Sequence, residues 1–198
     1  MTSTRTDRRL RRGVATAALA LAAVLGGCSD GGDGPAASAG QTFNDADVKF
    51  AQTMIPHHEQ AVEMTDLVLA KSGLDPEVTA LAQKIKDTQG PEMTTMTELL
   101  AAWNQPLIPD HGAEADEHHW DAEGMLTPEQ MQELAAADGS AAHELFLVGM
   151  IEHHEGAIAM VQDEIDNGAN PDAQRLAQAI KDGQTAEIDQ MKGLLSRL

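Results

Sequence analysis

The residues best suited to chemistry occur twice. Met54-Ile-Pro-His57-His58-Glu-Gln-Ala-Val-Glu-Met64 and Met150-Ile-Glu-His153-His154-Glu-Gly-Ala-Ile-Ala-Met160 share their histidine pair and both flanking methionines. On a helix, residues three, four and seven apart share a face, so Met54, His57, His58 and Met64 form one broad stripe with the small Ala61 between them. Met150, His153, His154 and Met160 repeat that stripe around Ala157. Glu59 and Glu63 project from the opposite side and are poor partners for the same centre. Imidazole with thioether is a ligand set for soft or borderline ions: Cu(I) first, Cu(II) through the histidines, then zinc. Calcium and magnesium need oxygen cages, which the stripe lacks. The lower-ranked candidates are Met93 and Met96 in the second long helix and Met191 in the fourth, which can face the stripe from across a bundle. Imidazole must be neutral to ligate, so copper affinity is expected to fall below about pH 6.5.

A competing reading treats these methionines as core filler and the histidine pairs as packed polar groups. Duplication of the whole pattern, methionines included, favours the metal. His111, His118 and His119 lie among Glu114, Asp116, Glu117 and Asp121 and read as a solvated acidic loop; His143 reads as a helix-start residue. A zinc protease would need HExxH, but the windows from His58 and His154 end in Val62 and Ile158. A di-iron carboxylate bundle would need Glu-x-x-His, and the residues three before the histidines are Met54, Ile55, Met150 and Ile151. No phosphate-binding glycine loop or Ser-His-Asp arrangement stands out, and no catalytic residue is assigned.

The elements that must position these residues are also duplicated. Phe50–Met64 matches Phe146–Met160 at an offset of 96, and Gly73, Pro76, Leu81-Ala-Gln83, Ile85-Lys-Asp87, Met96, Leu99 and Leu100 recur at an offset of 95. About 21 of roughly 50 columns are identical, which marks an internal repeat over about 50–100 and 146–195. Each copy reads as a helical hairpin. The first helix should run from Asn44 or Asp45 to Ser72, stopped by a left-handed Gly73. The second should start with Asp75 as N-cap and Pro76 at the first helical position, and kink at Gly90-Pro91. In the second copy Gly168 stops the helix, and Asn170-Pro171 starts the next. Thr127-Pro-Glu-Gln130 is a capping-box start for a short helix in the connecting segment, to about Ala137. Two such hairpins bury their apolar stripes only against each other, which predicts an all-α four-helix bundle over 44–198.

Composition agrees. Of 198 residues, 42% are hydrophobic but only 3% aromatic, an Ala/Leu/Met/Glu/Gln-rich balance that favours helices over sheets. A net charge of −19 argues against nucleic acid, whose phosphates demand a basic face. The lone Cys28 excludes an internal disulfide framework. It follows five arginines and an uncharged run, Val14 to Leu25, that suits a signal-peptide core. Leu25-Gly-Gly-Cys28 resembles a bacterial lipobox. Residues 1–27 therefore read as a lipoprotein signal peptide, Cys28 as the lipidation site, and 28–43 as the lipidated cysteine with a disordered tether. Export is expected, with membrane attachment on the extracytoplasmic side.

The doubled His-His-Glu motif, with Gly124-Met125-Leu-Thr-Pro-Glu-Gln-Met131, resembles the bacterial family called domain of unknown function 305 over about 44–197. The resemblance implies a ferritin-like helical bundle, usually secreted or lipid-anchored, some of whose periplasmic members bind copper through methionine and histidine and support copper tolerance. It implies Met54, His57, His58, Met64, Met150, His153, His154 and Met160 as ligands, with Met125 as an addition. Glu152 stands where the family commonly has proline, so the two copies can differ in geometry. The reading that results is an exported copper-sequestering, buffering or chaperoning protein. A ferritin-like redox enzyme and a metal-free interaction module are the alternatives.

Overall fold

The computed structural model describes residues 42–108 and 122–197. The signal segment, Cys28 and the three histidines His111, His118 and His119 lie outside the described residues. Among the described residues there are five helices, α1 (Asp45–Leu69), α2 (Pro76–Ala102), α3 (Pro128–Ala136), α4 (Gly139–Asn167) and α5 (Pro171–Leu195). None of them is long and apolar enough to cross a membrane. Hairpin α1–α2 and hairpin α4–α5 join through α1 against α4, and the short α3 rests on both of those helices. This is the expected four-helix bundle of two duplicated hairpins with a short extra helix.

Local signals set most of the helix ends. Asn44 caps α1 in a capping box, its side chain accepting from Ala46 and Asp47 N–H while Asp47 accepts from Asn44 N–H. Asp75 and Asn170 cap α2 and α5 ahead of a proline, and Thr127 with Gln130 closes the box on α3. Asp138, by contrast, makes no capping hydrogen bond to α4. Helix α1 ends at Leu69, short of the expected Ser72, because the chain turns before reaching the left-handed Gly73 at φ 78°. Gly168 ends α4 with φ −58°, so a left-handed turn is not its role. A Cβ there would lie 2.3 Å from the Glu164 carboxyl, so it is the missing side chain that the fold uses. Helix α2 continues as one helix through Gly90 and Pro91.

The interior divides into two apolar clusters. One gathers Met64, Met131, Phe146, Leu147, Met150 and Met191; the other gathers Phe50, Met54, Met96, Leu100, Trp103 and Ala157. Met54 and Met64 lie on either side of the His57-His58 pair along α1, and their clusters join the opposite ends of the α4 motif. Helices α1 and α4 therefore run antiparallel, with their histidine pairs meeting between the clusters.

Asp47 ties the two hairpins together at one end. Its carboxylate accepts from Asn44 N–H (2.6 Å), Ala169 N–H (3.1 Å) and Asn170 N–H (2.8 Å). Thr42 and Phe43, expected within the tether, make packed contacts. Asn170 donates to the Thr42 carbonyl (3.1 Å), and Phe43 stacks on Trp103 with centroids 5.1 Å apart, so Thr42 and Phe43 belong to the folded unit. Stacking buries aromatic area that a solvated tether would leave wet.

Glu164 is fully buried beside Asp47, and burial together with the Asp47 charge pushes its carboxyl up to about 8 from 4.5. An acid raised in this way keeps its proton in the folded chain where the unfolded chain has released it. Its contribution is full below pH 4.5 and is lost as pH rises through about 8. Glu164→Gln keeps the shape without the titration, so its thermal midpoint relative to wild type should rise between about pH 5 and about pH 9. A difference that does not change with pH would contradict the assignment.

Candidate functional site

Helices α1 and α4 bring His57, His58, His153 and His154 into one layer, all four at 0% exposure. The rings of His57 and His153 lie against each other with centroids 3.8 Å apart and planes tilted by 43°, and His153 is 6.3 Å from His154. Glu59 and Glu63 are exposed, on the far side as their spacing requires.

Hydrogen bonds fix how the rings are protonated. His58 Nε2 lies 2.9 Å from Glu92 Oε2, His154 Nε2 lies 2.9 Å from Glu187 Oε2, and His57 Nε2 lies 3.1 Å from the Glu123 carbonyl. Carboxylates and carbonyls only accept, so in each of these rings Nε2 carries the hydrogen. A neutral imidazole has one N–H, so Nδ1 keeps its lone pair. Nδ1 of His57, His58 and His154 is buried without a hydrogen-bond partner, and so are both ring nitrogens of His153. An unmet buried acceptor costs about 1–3 kcal/mol, so these nitrogens are open to a water or an ion.

Burial keeps three of the rings, His57, His153 and His154, neutral. Burial lowers His57 to about 3, and neighbouring His58 and His154 add to the effect against the Glu123 carbonyl. Burial, then the surrounding histidines, hold His153 well below 6.5; the His57 backbone favours its charged form but closes no hydrogen bond. His154 is lowered by burial, which outweighs the opposing pull of Glu187. Burial pushes the Glu187 carboxyl up, but hydrogen bonds and charge from His154 and from Lys84, 3.3 Å away, hold it below its usual range. For His57, His153 and His154, proton competition thus begins below the pH 6.5 expected from free histidine.

The sequence motif does not contain Glu92 or Glu187. Both follow a repeated glutamine in matched columns, Gln89-Gly-Pro-Glu92 and Gln184-Thr-Ala-Glu187, so the repeat carried a signal for them. Gln89 and Gln184 are themselves buried with their amide groups unpartnered. Carboxylates that hold a histidine through one nitrogen and leave the other free are the usual outer partners of metal-binding imidazoles.

The methionines divide. Met54, Met96, Met93 and Met160 belong to one cluster, and Met64, Met150 and Met191 to the other. Met54, Met64, Met96, Met150 and Met191 are fully buried, whereas Met93, Met125 and Met160 are partly so. Met125 is in neither cluster and lies in the segment leading to α3. His143 sits in the second turn of α4, where its Nε2 accepts from Asp75 N–H (2.9 Å) and joins the hairpins. Among the described residues no three His, Cys, Asp or Glu side chains are already converged as ligands. The donor set nevertheless fits a soft ion, with free neutral imidazole nitrogens in a layer bordered by thioether-bearing clusters.

Residues 47–195 match the profile of the family described as Domain of unknown function (DUF305). The chain belongs to this family. A DUF305 fragment from Deinococcus radiodurans superposes with a TM-score of 0.69 at 33% identity, over 79% of this chain and 99% of that one. A DUF305 protein from Streptomyces coelicolor also gives 0.69 at 33% identity, over 77% and 91%. CopM in its Cu(II)-bound form gives 0.64 at 27% identity, over 76% and 96%. No curated protein matches the chain by sequence.

Histidines lowered below 6.5 make the fold sensitive to acid in a defined direction. Between pH 6.5 and about 3 the unfolded chain binds protons that the folded layer refuses. Stability of the metal-free protein is therefore complete above pH 6.5 and is lost as pH falls toward 3. His153→Leu removes one such site, so the pH slope of its unfolding free energy in urea should fall by about one proton. An unchanged slope would mean that His153 is not buried in its neutral form.

Proposed function

We propose that this protein binds copper, as Cu(I), in its four-histidine layer and buffers or carries it in the cell envelope. The observation that carries the reading is the set of buried imidazole nitrogens with free lone pairs and no protein partner. Cu(I) is soft, takes nitrogen and thioether sulfur, and tolerates low coordination numbers, which suits a layer poor in oxygen donors. His57, His58, His153 and His154 are the proposed ligands. Met54 and Met160 on one side and Met64 and Met150 on the other are the nearest thioether reserves along the two helices; Met93, Met96, Met125 and Met191 are further candidates. Packing of His57 against His153 means that loading requires these rings to turn apart.

The relatives support this reading by likeness. CopM has been crystallised with Cu(II), with Cu(I) and with silver, and the last two forms are 28% and 28–30% identical to this chain. Silver is a close mimic of Cu(I) in charge and softness, so a protein that takes both offers soft donors. The Streptomyces coelicolor relative is named among secreted proteins, which accords with the signal-like N-terminus. Lipidation at Cys28 and attachment to the outer side of a membrane complete the proposal. The acidic surface would raise the local concentration of cations, over about 10 Å at ordinary salt.

Metal analysis of the full chain, beside a variant with His57, His58, His153 and His154 all changed to alanine, tests the proposal. Cu(I) or Ag(I) at 100 times its dissociation constant should stabilise the wild type by ~2.7 kcal/mol and leave the variant unmoved. Because His57, His153 and His154 resist protonation, copper bound at about pH 7.5 should be retained at about pH 5. No thermal shift with either ion would favour a metal-free interaction module instead.

A further inference from the structure

The histidine layer is sealed, and one short piece of backbone does part of the sealing. Residues 122–126 form a turn, with Met125 N–H bonded to the Ala122 carbonyl (3.1 Å) and Gly124 at φ 81°. A positive φ at the third position is what such a turn demands of a glycine. This turn lies along the seam of α1 and α4. It contributes the Glu123 carbonyl that accepts from His57, and it is held from both sides.

On the α1 side, Gln60 grips the chain with both ends of its amide. Its Nε2 donates to the Leu126 carbonyl (2.9 Å) and its Oε1 accepts from Leu126 N–H (2.8 Å). On the α4 side, Gly156 lets the backbone come close. A Cβ on Gly156 would sit 1.9 Å from the Glu123 carbonyl oxygen and 2.8 Å from Gly124 Cα, and a Cβ on Gly124 would sit 2.5 Å from the Glu152 carbonyl. Gln60 and Gly156 occupy matched positions of the two repeats. Where the duplication differs beside the histidines, one copy supplies a clamp and the other a gap, and the same segment uses both.

A cation cannot reach four rings at 0% exposure unless something moves. The helices over the layer are held by their own hydrogen-bond ladders and by two apolar clusters. The turn has no ladder; among the described residues, beyond its internal bond, it is held by Gln60, by His57 and by the buried Leu126. Elements with few backbone bonds and little buried area open at lowest free energy. Outside it runs a groove of about 370 Å3 that Ala122 and Glu123 line together with Met160 and Asp163. A thioether, carboxylates and Lys49, whose ammonium lies 3.6 Å from Asp163, line this groove beside the residue whose carbonyl accepts from His57.

We propose that residues 122–126 are a strap that gates metal passage into and out of the histidine layer, latched by Gln60 and seated in the gap at Gly156. The inference rests on the copper reading above and adds to it a route and a control point. An open strap also frees His57 Nε2, so opening and reorientation of that ring are one event.

Two variants of the full chain test it. Gln60→Leu keeps most of the volume of the latch, deletes both of its hydrogen bonds and adds no sulfur donor; Gly156→Ala pushes the strap off its seat from the other side. Gln83→Ala, on the exposed surface of α2, is the control. In the metal-free proteins, hydrogen exchange at Leu126 N–H should quicken by about tenfold in Gln60→Leu, the order expected from losing two net hydrogen bonds. Release of Cu(I) to a water-soluble chelator should quicken by the same about tenfold factor, at unchanged stoichiometry. Gly156→Ala should quicken release in the same direction, and the control should behave as wild type. Faster exchange at Leu126 without faster release would overturn the gate while leaving copper binding intact. Absence of bound Cu(I) in the wild type would instead bring down the functional reading, and the gate with it.

Discussion

Imidazole held away from bulk solvent is the constraint from which the rest of this structure follows. Four rings are packed between two apolar clusters, where a charge would be poorly solvated, and burial drives the protons off His57, His153 and His154. Neutral rings then have to dispose of one N–H each. Glu92, Glu187 and the Glu123 carbonyl take three of these, and each acceptance fixes a lone pair on the opposite nitrogen. The acid groups are thus not competitors of the histidines for an ion but the means by which the histidines are made ready.

The duplication explains why the arrangement is nearly symmetric, and its departures explain where it is not. Each hairpin supplies a histidine pair on one helix and an oriented carboxylate on the next. His58 with Glu92 and His154 with Glu187 are equivalent in this sense. The other pair is unequal: His57 is bound to the connecting segment, while neither nitrogen of His153 has a partner. One segment serves a seam formed by two copies, so it can complete only one of them. Gln60 against Gly156 is the sequence trace of the same asymmetry.

Much of this was legible beforehand, and the reasons are local. Caps at Asn44, Asp75, Thr127 and Asn170 depend on neighbours within three residues, and the histidine stripe depends on helical spacing alone. The carboxylates were harder, since Glu92 and His58 are 34 residues apart and meet only through hairpin packing. Their signal lay in the repeat, as matched Gln-x-x-Glu columns, rather than in the His-His motif. The seat at Gly156 could not be read as such, because a glycine inside a helix signals only weak helix propensity until the segment that fills its gap is seen. Gly168 shows the same limit, being a space for Glu164 and not a left-handed stop.

The central claim is that Nδ1 of these rings carries a lone pair that a soft cation takes while Nε2 keeps its hydrogen. Long-range nitrogen–proton NMR of the full chain with labelled histidine, recorded before and after addition of Ag(I), observes both nitrogens directly. The account predicts that His58 and His154 show a protonated Nε2 in both states and an Nδ1 resonance that moves only when the metal is added. Nδ1 protonated in the metal-free protein, or Nδ1 resonances unmoved by an excess of Ag(I), would contradict it.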